Sequence, residues 1–406
     1  MSLIKDHNKP KLGYIPAFDG IRGVFSFTIL IIHLHFSYVT VPSTLGYFTM
    51  HCFFIMSAYL LSRSLLKDKT NATSFGSYFK NFYTKRILRI FPVYYGYIFL
   101  AVIIGLITLK TKANPILGVV YEIKHFWWML LTFTYNFKDL LCLYTGLDYA
   151  KSPIFPHLWS LSLEEQFYFV IPFVIYFVSI KRLKIISIII ICIFPVFRIL
   201  GYYYLINHPN IHQQIEPNMF VSFILYRCTF FQFDAFFYGI LVAIVDFKNK
   251  KLIKFLFYKM VFLLIASIVF NGIIVSKEEG ISFTRAVADY DFMIKNGQIF
   301  YIDIIVNSLC VFMFYLSFKF NDALSIFENK FFIHVGKISF GVYVYQYLFI
   351  IPTVVLLFPY LKMYMTVWLA EIICATICFG ALLIFSDISF NKYEMYFINL
   401  KKKITK

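Results

Sequence analysis

Phe18-Asp-Gly-Ile-Arg-Gly-Val-Phe-Ser-Phe-Thr-Ile-Leu-Ile-Ile-His-Leu-His35 opens a long apolar segment, yet it carries Asp19, Arg22, His33 and His35. An ionisable group inside a membrane helix costs roughly 3 kcal/mol on insertion scales, so a helix that keeps several usually has a use for them. Arg22 and His33 are eleven residues apart. At about 100° per residue they return to within about 20° of one face, about 16 Å apart along the axis. That is roughly half of a ~30 Å hydrocarbon core, so with Arg22 at one surface His33 is expected near the midplane. Asp19 lies one turn before Arg22. His35 points nearly opposite to His33, so the two histidines do not act as a pair.

The composition agrees with a membrane setting. Of 406 residues, 60% are hydrophobic and the mean hydropathy is +0.73, against ~45–50% apolar in soluble domains. The fold class expected is all-α, a polytopic integral membrane helical bundle. The formal charge of +17 does not point to nucleic acid, because Lys and Arg cluster in short loops between apolar runs, as topology signals do. Seven cysteines form no CxxC pair, so neither a metal site nor a disulfide framework is indicated. No small-residue cleavage site follows the first apolar run, which is therefore expected to stay.

Apolar runs predict about ten spanning helices, near 23–42, 47–66, 88–109, 163–180, 184–205, 228–246, 254–275, 299–319, 338–358 and 364–386. The denser basic loops, such as Lys67 to Arg89, Lys181 to Lys184, Lys248 to Lys254 and the tail Lys401 to Lys403, fall on one side. By the positive-inside rule both termini are cytoplasmic, in the plasma (bacterial inner) membrane. The long loop over 110–162 is then external, with Lys124 to Tyr135 read as interfacial or re-entrant. The organisation expected is a cytoplasmic tail over 1–17, one membrane domain over 18–387 and a basic cytoplasmic tail over 388–406.

Five further stretches could carry chemistry. Ser57 is a hydroxyl inside the second helix, where back-bonding to its own helix is the plain alternative. Arg86 and Arg89 are i, i+3 neighbours whose guanidinium forks suit phosphate, although a topology signal also explains them. In Pro156-His-Leu-Trp-Ser-Leu-Ser-Leu-Glu-Glu-Gln166, Ser162 and Glu165 have capping-box spacing. That leaves His157, Ser160, Glu164 and Gln166 as a polar set suited to an acceptor site. Arg227 and Asp234, seven residues apart, are read as sharing a helix face in a structural role. Ser339, Tyr343 and Gln346 are the polar groups opening the ninth helix.

Taken together these blocks resemble the membrane acyltransferase-3 family. Arg22, ten residues, then His33 matches its signature. Phe-Phe-x-x-Ser (53–57), Arg-x-x-Arg-Ile-x-Pro (86–92), Trp-Ser-Leu-Ser-x-Glu-Glu-Gln-Phe-Tyr (159–168) and Ile-Ser-Phe-Gly-x-Tyr (338–343) follow in the family's order. The resemblance implies O-acylation, usually acetylation, of an extracytoplasmic carbohydrate such as a surface polysaccharide or lipopolysaccharide. Acetyl-CoA is then a donor substrate rather than a permanently bound cofactor, and membrane lipid the surroundings. It implies catalytic roles for His33 and Arg22, with Glu164 and Glu165 beside them. Arg86 and Arg89 would hold the CoA phosphates, and Trp159, Ser160, Ser57, Asp19 and Tyr343 would line the substrate site. Three positions depart from the family's habit: Ala58 where Gly is frequent, His51 where an acid is common, and Gln346 where His is common. These three carry no assigned role. A transporter or flippase is the alternative class, weakened because no pair of Gly/Pro-broken helices recurs in two halves. A scaffold in a polysaccharide pathway is the third.

Overall fold

The computed structural model describes residues 15–39, 41, 43–109, 117–147, 154–210, 217–288, 299–319 and 325–404. Every regular element among them is helical. In chain order they are α1 (Pro16–Leu34), α2 (Ser43–Asn71), α3 (Phe75–Leu109), α4 (Leu117–Leu131), α5 (Lys138–Thr145), α6 (Leu158–Phe177), α7 (Ile180–Ile206) and α8 (Pro217–Arg227). Then follow α9 (Thr229–Gln232), α10 (Asp234–Ile244), α11 (Lys250–Glu279), α12 (Phe283–Ala288), α13 (Ile299–Lys319), α14 (Lys330–Pro352), α15 (Phe358–Leu361), α16 (Val367–Ile388) and α17 (Met395–Ile404). Most of the expected N-terminal tail, and Lys110, Lys112, Lys151 and Lys295 of the loops, lie outside the described residues.

Seven described stretches are long and apolar enough to cross a membrane: Pro16–Leu34, Leu45–Asn71, Phe75–Leu106, Ile180–Ile206, Lys250–Glu279, Lys330–Leu361 and Val367–Leu400. The expected spans near 163–180, 228–246 and 299–319 fall on α6, α10 and α13. These are more polar or shorter, with the apolar parts of the last two limited to Asp234–Ile244 and Tyr301–Ser317. The segment read as a basic tail continues the last helix through a π-helical turn, Ser389–Glu394, into α17. There the Tyr393 hydroxyl donates to the Pro92 carbonyl of α3 at 3.2 Å.

The first helix begins earlier than its apolar run. Pro16 starts it, because proline fits a first helical turn that needs no N–H. His35 ends it in the left-handed region at φ 53°, its N–H bonded to Ile32 O. Arg22 therefore sits in the second turn and His33 in the last, rather than at the start and the middle of a span. The region read as interfacial is a 15-residue helix, α4, with Trp127 and Trp128 exposed.

The expected span 228–246 is not one helix. It breaks at Cys228 and again at Phe233, so Arg227 and Asp234 do not share a face. Distant side chains satisfy the backbone that the break frees, as a buried break requires. Asn136 donates to Arg227 O at 3.2 Å and Arg198 to Phe231 O at 2.7 Å. Arg227 pairs instead with Asp139 at 2.9 Å, and Asp234 with Arg198.

Glycines set the contact that matters most here, between α1 and α14. A Cβ on Gly20 would lie 1.7 Å from Phe327 O, and one on Gly23 2.1 Å from Phe332 O. From the other side, a Cβ on Gly336 would lie 1.7 Å from Asp19 O. At each approach a glycine on one side meets main chain on the other, Gly23 against Phe332 of α14, Gly336 against Asp19 of α1, and Gly20 against Phe327 in the turn Ser325–Glu328 just before α14, as in small-residue membrane interfaces. Gly336→Ala should therefore cost about 1–3 kcal/mol by overpacking against backbone. Its thermal unfolding midpoint in detergent should fall, whereas Gly380→Ala, with nothing within 4 Å of the new Cβ, should leave the midpoint unchanged or raise it.

Candidate active site

The α1–α14 contact brings the end of α1 against one face of α14. His33 Nδ1 lies 2.9 Å from Gln346 Oε1. Its ring sits 5.3 Å from that of Tyr347. On the other side Tyr347 stacks on His157, centroids 4.9 Å apart. Tyr343, Gln346 and Tyr347 are i, i+3 and i+4 on α14, so one helical face supplies all three. The Tyr343 hydroxyl donates to His157 O at 2.9 Å and lies 2.5 Å from Ser160 Oγ. The start of α6 is thereby tied to α14.

Further along α6 the Glu164 carboxylate accepts from the Ser57 hydroxyl of α2 and from the Tyr168 hydroxyl. Ser57 Oγ and Tyr168 Oη are themselves 2.7 Å apart. Ser57 thus turns away from its own helix. The Arg86 guanidinium stands over the Tyr168 ring, 4.7 Å from its centroid. Arg89 lies within electrostatic reach of Arg22, Arg86 and Glu394, and Tyr343 within reach of Glu164. A string of polar groups therefore leads from His33 through Gln346 to Tyr343 and Ser160, and across the approach of Tyr343 to Glu164 into Ser57, Tyr168 and the three arginines. Of these groups and Glu165 beside them, His33, Glu164 and Glu165 keep accessible surface and Arg89 is exposed.

The residues singled out from the sequence divide accordingly. Ser160 and Tyr343 are in direct contact, as are Ser57 and Glu164, while His33 joins Tyr343 through Gln346 and Arg86 joins Glu164 through Tyr168; Arg22 and Arg89 lie near Arg86, and Glu165 near Glu164. Asp19 bonds Arg22 at 3.4 Å. Trp159 is packed between Phe54 and Tyr226, centroids 6.1 and 4.7 Å away, and shows little surface. The capping box does not form. α6 starts at Leu158, so Ser162 is inside it and bonds Leu158 O at 3.0 Å.

Three residues of the site were not assigned from the sequence. Gln346 and Tyr347 share the face of Tyr343, a spacing that the sequence shows. Glu371 is an acid in the last apolar run. Its carboxylate accepts from the backbone N–H groups of Ser37, Tyr38 and Val39 at 2.9, 2.7 and 2.9 Å, pinning the chain as it leaves the His33 end of α1.

The acyltransferase-3 family model, described as an acyltransferase domain, matches residues 15–386. A provisionally named O-acetyltransferase of Staphylococcus aureus (strain COL) is 31% identical over 167 residues, 41% of this chain and 25% of that one. The peptidoglycan O-acetyltransferase OatA of Listeria monocytogenes is 28% identical over 163 residues, 39% of this chain and 24% of its own length. YrhL of Bacillus subtilis (strain 168), provisionally named a peptidoglycan O-acetyltransferase, is 27% identical over 164 residues, 39% and 23% of the two chains. The matched stretch is thus about a quarter of each of these relatives. No solved structure matches the chain.

Removing a charged acceptor from three N–H groups costs about 1.5–3 kcal/mol per bond lost. Glu371→Ala should lower the unfolding midpoint and speed protease cleavage just after His35, and Glu371→Gln should do so less. Unchanged cleavage in Glu371→Ala would show that the carboxylate does not hold this segment.

Proposed function

The chain belongs to the acyltransferase-3 family, and from that premise we propose that it is an integral membrane O-acyltransferase. In this reading acetyl moves from cytoplasmic acetyl-CoA to a hydroxyl of an extracytoplasmic carbohydrate, a surface polysaccharide, lipopolysaccharide or related glycan. About ten helices cross the plasma membrane and both termini face the cytoplasm, a topology supported by the clustered loop lysines. The observation that carries the reading is the polar string with an imidazole at one end and three arginines at the other.

Each end suits one substrate. Guanidinium groups match phosphate oxygens in charge and fork geometry, so Arg86 and Arg89, with Arg22, receive the phosphates of CoA. The pantetheine arm, flexible and narrow, threads between the helices toward His33, about 16 Å from Arg22 along α1. His33 takes the proton of the acceptor hydroxyl as its oxygen attacks the thioester carbonyl. The tetrahedral intermediate expels the thiolate, and the imidazolium returns the proton to sulfur. An ester and free CoA leave, with no net proton released. Glu164, held by Ser57 and Tyr168, and Glu165 next to it present carboxylates along the path, and Tyr343 and Ser160 present hydroxyls to the acceptor.

Purified protein in liposomes, supplied with labelled acetyl-CoA and a glycan acceptor, tests this. His33→Ala should lower transfer by roughly 10²–10⁴-fold, the usual weight of a general base. Arg86→Ala and Arg89→Ala should each raise the KM for acetyl-CoA about tenfold or more, as loss of a charged hydrogen bond does. Full transfer in His33→Ala, or no binding of CoA by the wild type, would overturn the proposal. Acetyl trapped on His33 without acceptor would replace direct transfer by a two-step relay.

A further inference from the structure

Gln346 is bonded on both sides, and the two bonds fix its orientation. Its Nε2 donates to the Tyr343 carbonyl at 2.9 Å. A backbone carbonyl only accepts, so the amide nitrogen must face it. The amide oxygen must then face His33 Nδ1, where the distance is 2.9 Å. An amide oxygen also only accepts, so Nδ1 must carry a proton. Turning the amide over would set oxygen against carbonyl oxygen on one side and leave the imidazole facing an NH₂ group on the other. Gln346 is only 2% exposed, which leaves little water to compensate.

The neighbouring histidine is fixed in the opposite sense. His157 Nε2 lies 3.0 Å from the Val344 carbonyl, so there Nε2 must carry the proton. His157 is 1% exposed and its Nδ1 has no hydrogen-bond partner. His33 differs in keeping accessible surface, and among the described residues its ring bonds only through Nδ1. One helix, α14, thus sets both imidazoles, through a side chain for His33 and a main-chain carbonyl for His157.

We infer that Gln346 is a positioning residue that holds His33 as its Nδ1–H tautomer, leaving the Nε2 lone pair as the base that takes the acceptor's proton. The inference rests on the reading of His33 as the acyl-transfer base. Without the acceptor at position 346, the ring is free to adopt the Nε2–H tautomer or rotate, and its lone pair no longer points to the reacting hydroxyl. The proton path then has a defined start. It leaves the acceptor oxygen for His33 Nε2 as the new carbon–oxygen bond forms, and passes to the departing thiolate as the carbon–sulfur bond breaks, with Nδ1–H kept on Gln346 throughout.

The tautomer can be read directly. In histidine-selectively ¹⁵N-labelled protein, protonated and unprotonated ring nitrogens differ widely in shift, and their couplings to the ring carbon protons tell Nδ1 from Nε2. His33→Ala assigns the signals, and the His157 pattern, Nε2–H, serves as an internal standard. The wild type should show His33 as Nδ1–H. Gln346→Met keeps chain length without an acceptor and should shift His33 away from that form. It should also lower kcat by roughly 10- to 100-fold, as wrong-tautomer and support-shell losses do, with the KM for acetyl-CoA changed less than about twofold, since the KM loss of uniform binding is absent. Gln346→Glu still presents an oxygen acceptor and should keep the Nδ1–H form and most of kcat. An Nε2–H signature for His33 in the wild type, assigned by its loss in His33→Ala, overturns the inference even if the Gln346 variants do not fold. So does an unchanged tautomer and kcat in Gln346→Met; if His33→Ala is inactive in the same assay, the acyl-transfer reading survives that failure.

Discussion

The backbone contact between α1 and α14 is the constraint on which the rest of the site depends. Two glycines, Gly23 and Gly336, let the two helices meet where any Cβ would fall on a carbonyl, and Gly20 does the same against the turn that leads into α14. That approach, made near the Arg22 end of α1, determines what the other end of the helix meets. His33 arrives against Gln346 and Tyr347 because the helices are already locked together two to three turns away. Glu371 then holds the exit of α1, so the imidazole is fixed from below by packing and from above by three charge-assisted bonds. A side chain held at both ends loses its conformational freedom during folding, before any ligand binds.

Charged groups inside the bundle fall into two kinds, and the difference separates scaffold from site. Arg198 is fully buried, bonded to Asp234 and to Asp303 at 2.6 Å, with Asp303 also facing His51 at 3.6 Å. Lys138 and Tyr135 both donate to the buried Glu122. Each of these buried charges has an opposite charge in contact and almost no exposed surface, which is how a membrane interior tolerates them. The groups along the string are different. Arg22, Arg86 and Arg89 gather like charges, and Glu164 and Glu165 do the same with the opposite sign. Opposite charges are also in reach, Asp19 of Arg22 and Glu165 of Arg86, yet these side chains keep accessible surface, which in the proposed function is where the charged donor meets them.

Much of this was legible in the sequence, and what was not has physical causes. The all-helical membrane class followed from composition, and the spacing of Arg22 and His33 with the later blocks led to the family that the match over 15–386 bears out. Local signals misled where tertiary contacts decide. Ser162 and Glu165 have the spacing of a cap, but α6 has already begun at Leu158. The apolar run over 228–246 looks continuous because the groups that stabilise its break, Asn136 and Arg198, lie far away in the chain. The apolar count placed the start of α1 at 23, whereas the helix begins at Pro16. Ser57 could have bonded its own helix, and only the packing of α2 against α6 shows that it serves Glu164. Gln346 stood out as a departure from a family habit; its value is visible only once α1 and α14 are placed together, 313 residues apart along the chain.

The central claim is that the arginines and His33 are two ends of one path for the acyl donor. A cryo-electron-microscopy map of the protein bound to coenzyme A tests it most directly. The account predicts phosphate density against Arg86 and Arg89, with Arg22 close by, and the pantetheine arm running inward so that its sulfur lies beside His33. Coenzyme A bound away from the arginines, or with its sulfur directed away from His33, would contradict it.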